Sequence, residues 1–132
     1  MIGIVVVTHG RIAEELVIAA RTIVGDVPAI AAVSIGWGDD PVAANAAIER
    51  GLEEAGGGDV LVLTDMFGGT PTNLSLPYLS ERVEIVTGVN LPMIIKASAL
   101  REGALVEVAR AVREQGKGAI YVASEILARR PA

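Results

Sequence analysis

The chain of 132 residues has no cysteine, a single histidine and only 3% aromatic residues. Without cysteine there is no disulfide framework, no thiolate metal site and no thiol catalysis, and a reducing compartment is permitted. One imidazole cannot assemble the His-rich ligand sets of catalytic zinc, so no metal is expected. Basic charge is also short: 11 Lys and Arg stand against 16 Asp and Glu, a formal net charge of −5. That balance argues against nucleic acid or an anionic membrane as the main partner, since both need a basic face. No apolar run approaches the ~20 residues that span a bilayer. Nothing at the amino end resembles a signal peptide, which would need a basic region and a small-residue cleavage site. A cytoplasmic protein without direct membrane insertion is expected. None of Ser34, Ser75, Ser80, Ser98 and Ser124 sits in the G-x-S-x-G elbow of a serine hydrolase.

What the chain does have is aliphatic residue: 52% is hydrophobic, and with so few aromatics the core must be built from Ala, Val, Ile and Leu. The length suits one domain over residues 1–132, large enough to bury a core unaided. Ile2-Gly3-Ile4-Val5-Val6-Val7 reads as a buried parallel strand. Apolar residues then recur at helical spacing from Ile12 to Val24, with Gly25 as the stop. Ile30 to Ile35 is a second strand. Asp40-Pro41 reads as an N-cap followed by proline at the first helical position, opening a helix to about Ala55. Val60 to Thr64 is a third strand, residues 65–73 a loop, and a short helix reaches about Leu79. Residues 83–86 form a fourth strand, and Asn90-Leu91-Pro92 opens another helix. After a break at residues 101–103, a helix over 104–115 is expected to be capped by Gly116. A last short strand at 119–123 and a tail at 125–132 complete the chain. Strictly alternating strands and helices predict a mostly parallel sheet covered on both faces.

Two loops carry the chemistry. His9 follows the first strand, and open α/β sheets bind ligands at the carboxyl ends of their strands. Imidazole changes charge near neutral pH and serves as nucleophile, base or ligand. The same position also suits a turn histidine that merely helps to start the next helix. After the third strand, Asp65-Met66-Phe67-Gly68-Gly69-Thr70-Pro71-Thr72-Asn73 supplies two glycines that let the backbone approach a ligand. Thr70 and Thr72 add hydroxyls, and a helix N-terminus follows, as in a phosphate cradle. Gly-Gly loops often only turn the chain, and this one is neither a Walker A loop nor a dinucleotide fingerprint.

If strands one and three are neighbours, the order is 2-1-3-4 and the switch point falls between them. His9 and Asp65 then face each other. A carboxylate accepting from Nδ1–H fixes the tautomer and leaves Nε2 as the nucleophile. Asp39 and Asp40 suit either the rim of that mouth or a solvated helix start. Trp37, between two glycines, suits either a contact surface or packing on a helix. Arg11 would either steady a phosphoryl group or stand exposed in the first turn.

These stretches, together with Gly88-Val89-Asn90-Leu91-Pro92-Met93, resemble the mannose-family IIA proteins of the phosphoenolpyruvate-dependent sugar phosphotransferase system. The resemblance runs in order and spacing through essentially the whole chain. It implies a three-layer αβα open sheet, with parallel strands in the order 2-1-3-4 and a short antiparallel fifth strand near the C-terminus. It implies that His9 accepts a phosphoryl group on Nε2 from the phosphocarrier HPr and passes it to a IIB protein, in sugar uptake or its regulation. Asp65 would orient the ring, and Gly68, Gly69 and Thr70 would hold the phosphoryl group, with no cofactor. No IIB-like segment follows, so a separate acceptor chain is expected. A homodimer that exchanges the fifth strand is expected too. The alternative is a non-catalytic binding or regulatory module of flavodoxin-like shape that takes a phosphorylated ligand. The scarcity of aromatics argues against flavin.

Overall fold

Every second residue of the first strand points to the same face, and this strand is apolar on both. β1 (Gly3–His9) therefore needs cover above and below, and it occupies an inner position of a four-stranded sheet. The computed structural model describes residues 1–127. In it β1 pairs in parallel with β2 (Ile30–Ile35) on one side and β3 (Val60–Thr64) on the other. β4 (Val83–Thr87) pairs in parallel with β3, so the order is β2-β1-β3-β4, the order that the resemblance implies.

Ile4 and Val6 face one layer, made of α1 (Ile12–Val24), α4 (Leu91–Ala99) and α5 (Leu105–Gly118). Val5 and Val7 face the other, where α2 (Pro41–Glu54) supplies Ala44 and Ile48. The short α3 (Thr70–Ser75) and a 3-10 turn at Leu76–Tyr78 extend that second layer. No helix of the described residues is long and apolar enough to cross a membrane.

Helix starts follow their side chains. Asp40 accepts from Val42 N at 3.1 Å with Pro41 in the first turn of α2, and Asn90 accepts from Met93 N at 3.1 Å at the start of α4. The end of α5 departs from expectation. Gly116 does not cap it; the helix continues to Gly118. A Cβ on Gly116 would lie 2.6 Å from Met93 Cγ and Sδ, so this glycine permits close packing of α5 on α4 rather than a turn.

The expected fifth strand is not formed among the described residues. Residues 120–122 belong to no element, and α6 (Ala123–Leu127) follows. Ile120, Tyr121 and Val122 are exposed. A strand needs a partner for its backbone groups, and this chain's own sheet closes at β2 and β4 without engaging this segment. Residues 128–132 of the expected tail lie outside the described residues.

At the amino ends of the strands, Arg101 does more than break the chain between α4 and α5. It is only 7% exposed, and Nε donates to Ile2 O at 2.8 Å, Nη2 to Ala29 O at 2.9 Å and Nη1 to Pro28 O. Burial lowers its pKa from the usual guanidinium value, against the opposing charge of Glu102. Ala29 holds the left-handed φ of +51°, an uncommon conformation for alanine, and its carbonyl also accepts from Ile4 N at 3.0 Å.

Candidate active site

Parallel pairing places the ends of β1 and β3 side by side, with Val7 opposite Thr64. The residue after Thr64 is Asp65, so its carboxylate meets His9 across the switch point. Asp65 Oδ2 accepts from the His9 backbone N at 3.0 Å and from Nδ1 at 2.8 Å. Oδ1 accepts from Met66 N at 3.0 Å. Three N–H groups therefore hold one carboxylate, and both side chains are largely covered, 17% exposed for His9 and 15% for Asp65. An ionised carboxylate only accepts, so in the neutral ring this contact calls for the proton on Nδ1 and leaves the Nε2 lone pair free. His9 is thus not just a turn residue. The helix start belongs to its neighbour: Thr8 Oγ1, buried, accepts from Ala13 N at 2.7 Å in the first turn of α1.

The two loop glycines are required for different reasons. Gly68 has φ +85°, a left-handed conformation suited to glycine. Gly69 is needed for space: a Cβ there would lie 2.6 Å from His9 Cε1 and 3.1 Å from Nε2. The Gly69 backbone therefore passes directly beside the free ring nitrogen. Thr70, the first residue of α3, is exposed at the same mouth.

Thr72 does not face the mouth. It is buried, with Oγ1 2.7 Å from Thr64 Oγ1 and 2.6 Å from Met66 O. Its hydroxyl fastens the loop to the end of β3. Asp39 and Asp40 are also structural: Asp39 Oδ2 accepts from Gly36 N at 2.7 Å, and Asp40 caps α2. Arg11 is exposed and pairs with Glu14 at 3.3 Å and Glu15 at 3.9 Å, the first-turn alternative.

Trp37 does not pack on a helix; it is exposed at the mouth. Its indole stacks on the imidazole of His9, with ring centroids 5.1 Å apart and planes 21° apart. The cause is strand register. His9 lies opposite Ile35, and Gly10 N donates to Ile35 O at 2.7 Å, so the turns leaving β1 and β2 run at one level. Local patterning carries no trace of this contact. The signal is the adjacency of strands one and two, which puts Trp37, two residues beyond Ile35, beside His9.

A family model described as EIIA-man, PTS system fructose IIA component, matches residues 3–113. The fructose-specific EIIA component of Bacillus subtilis (strain 168) is 36% identical over 72 residues, which is 52% of this chain and 49% of that protein. The mannose-specific EIIAB component of Escherichia coli (strain K12) is 32% identical over 109 residues, 76% of this chain and 32% of that protein. The chain thus spans about half the length of the first curated relative and about a third of the second. Among solved structures, the mannose/sorbose specific IIA subunit from Enterococcus faecalis superposes with a TM-score of 0.84 at 31% identity, covering 92% of this chain and 93% of that one. A phosphotransferase system component EIIA from Streptococcus agalactiae shares the fold, with a TM-score of 0.84 at 24% identity over 95% of this chain and 99% of that one.

Proposed function

The chain belongs to the EIIA-man family of phosphotransferase-system IIA components, and from that premise we propose that His9 is its phosphoryl carrier. The supporting observation is the His9–Asp65 pair, which presents a free Nε2 beside Gly69. The Nε2 lone pair attacks the phosphorus of phospho-HPr. The bond from phosphorus to the donor atom breaks, and its electron pair returns to the donor. The ring becomes cationic in character, its proton stays on Nδ1, and the negative charge of Asp65 offsets the developing positive charge. Attack by a IIB acceptor on the same phosphorus reverses these steps and regenerates the free ring. Backbone N–H groups of Gly68, Gly69 and Thr70, with the Thr70 hydroxyl, receive the phosphoryl oxygens. This exchange belongs to the cytoplasm, in sugar uptake or its regulation.

The test is incubation with phosphoenolpyruvate, enzyme I and HPr. One phosphoryl group per chain is expected, lost in brief acid treatment and kept in base, as a phosphoramidate requires. An acid-stable label overturns the assignment, and no label at all returns the protein to the class of binding modules.

Gly69→Ala is expected to fold and to slow transfer about tenfold, a part of the 10²-fold that a 1 Å misplacement can cost. The added methyl group must push the imidazole off its present position. Circular dichroism checks the fold and rapid quench the rate; a parental rate would mean that the ring has room to spare.

We further propose a homodimer. β4 lies at the sheet edge, beside a groove of about 460 Å³ lined by Phe67, Leu76, Leu79, Val86 and Val106. An apolar strand from a second copy would cover it, and the exposed Ile120, Tyr121 and Val122 fit that part. Deleting residues 119–132 is expected to yield a monomer of reduced stability, read by sedimentation and thermal unfolding. A full-length chain that sediments as a monomer at micromolar concentration rules the exchange out.

A further inference from the structure

Trp37, the chain's single tryptophan, is 84% exposed yet stacks on the His9 ring. Its turn is built with care. Gly36 N donates to Asp39 Oδ2 at 2.7 Å, Asp39 N donates to Gly36 O at 3.2 Å, and a Cβ on Gly36 would lie 2.7 Å from Asp39 Oδ1. The turn thus carries the indole to a defined place, over one face of the imidazole. Asp65 holds Nδ1, and Gly69 lies beside Cε1 and Nε2. A single hydrogen bond at Nδ1 leaves the ring able to tilt about that contact, and the stacked indole opposes such a tilt.

We propose that Trp37 is a positioning residue for phosphoryl transfer at His9, holding the imidazole against tilting about its bond to Asp65. The inference rests on the reading of His9 as the carrier and assigns the indole a part in it. The π-face of tryptophan is the best of the aromatic faces for a cation. When the Nε2–phosphorus bond forms and the donor bond breaks, the ring gains positive character while keeping its Nδ1 proton. The stack therefore strengthens as the reaction proceeds, and an interaction that strengthens on the way to the transition state raises the rate rather than the affinity. Loss of the indole is expected to lower kcat about three- to tenfold.

A single histidine and a single tryptophan make the test clean. Proton–carbon correlation spectra of the His9 ring, recorded without any phosphodonor, read the stack directly. The ring protons are expected upfield in the parent, to move downfield in Trp37→Ala, and to stay largely upfield in Trp37→Phe. Single-turnover transfer, followed over a range of phospho-HPr concentrations so that the limiting rate stands for kcat and the half-saturating concentration for KM, then separates positioning from docking. Trp37→Ala is expected to lower kcat with KM changed by less than about twofold, and Trp37→Phe to restore most of the loss. A rise in KM alone overturns the proposal in favour of a docking contact, and ring protons unmoved by Trp37→Ala overturn it as well. Failure of the underlying reading looks different: the parent itself then takes up no phosphoryl group. A parent that is phosphorylated while Trp37→Ala transfers at the parental kcat removes only the role of Trp37.

Discussion

His9→Ala takes up no phosphoryl group from phospho-HPr: that is the expected result, and the largest single effect in this molecule. The chain has no second imidazole and no thiol to substitute for the lost nucleophile. The nearest hydroxyl groups fare no better. Thr8 Oγ1 is buried and accepts from Ala13 N, and Thr72 Oγ1 is buried against Thr64 and Met66 O. Thr70 is exposed, and among the described residues no hydrogen bond joins its hydroxyl to a carboxylate. The variant is expected to fold, because the His9 side chain belongs to neither core cluster. Intact-mass spectrometry after incubation with phosphoenolpyruvate, enzyme I and HPr reads the outcome. Undiminished phosphorylation of the variant would move the carrier to another residue.

Asp65→Asn is expected to fold and to transfer about 10²- to 10³-fold more slowly, the scale of a charge-assisted hydrogen bond lost together with its tautomer control. The geometry explains why an isosteric amide fails. All three partners of the Asp65 carboxylate are N–H donors: the His9 backbone, His9 Nδ1 and the Met66 backbone. An amide has only one accepting end. If its oxygen faces His9, its NH₂ group confronts Met66 N–H and the negative charge opposite the ring is gone. If it turns over, the NH₂ group confronts both His9 donors and pushes the ring proton to Nε2, where it blocks attack. Replacing the orienting carboxylate of a serine-protease histidine costs about 10⁴-fold. The effect here is expected to be smaller because Gly69 still crowds the ring beside Cε1 and Nε2. Single-turnover rates from phospho-HPr decide it, and a rate within about twofold of the parent would remove Asp65 from this role.

Much of this site was legible before any coordinates, because it depends on order along the chain. Continuous apolar runs at β1 and β3 mark inner parallel strands. Their carboxyl ends carry His9 and Asp65, and the strand order that the resemblance implies makes the two neighbours. Asp40-Pro41 and Asn90 announced their helices through side chains that act within a few residues. What escaped depends on contacts between elements. Gly116 looked like a stop because glycine ends helices and also lets them approach, and only the position of Met93 distinguishes the two. Thr72 looked like a site hydroxyl until the end of β3 claimed it. Trp37 reaches His9 through the register of β1 with β2, which no local pattern encodes. The apolar segment at 119–123 reads as a strand from its composition, but pairing is a property of two elements, and this chain's own sheet does not engage it.

Arg101 has a consequence for the order in which the molecule is completed during synthesis. Everything that defines the reactive mouth has been made once Trp37, Asp65 and Gly69 have joined His9. The opposite end of the sheet must wait. The carbonyls of Ile2, Pro28 and Ala29 share one guanidinium, and it is added 99 residues after the first of them. Chains grow and fold from the amino end, and contacts between distant residues come late. Arg101 arrives between α4 and α5, the helices that cover Ile4 and Val6, so the base of the sheet and one of its faces are completed together, by the last third of the chain.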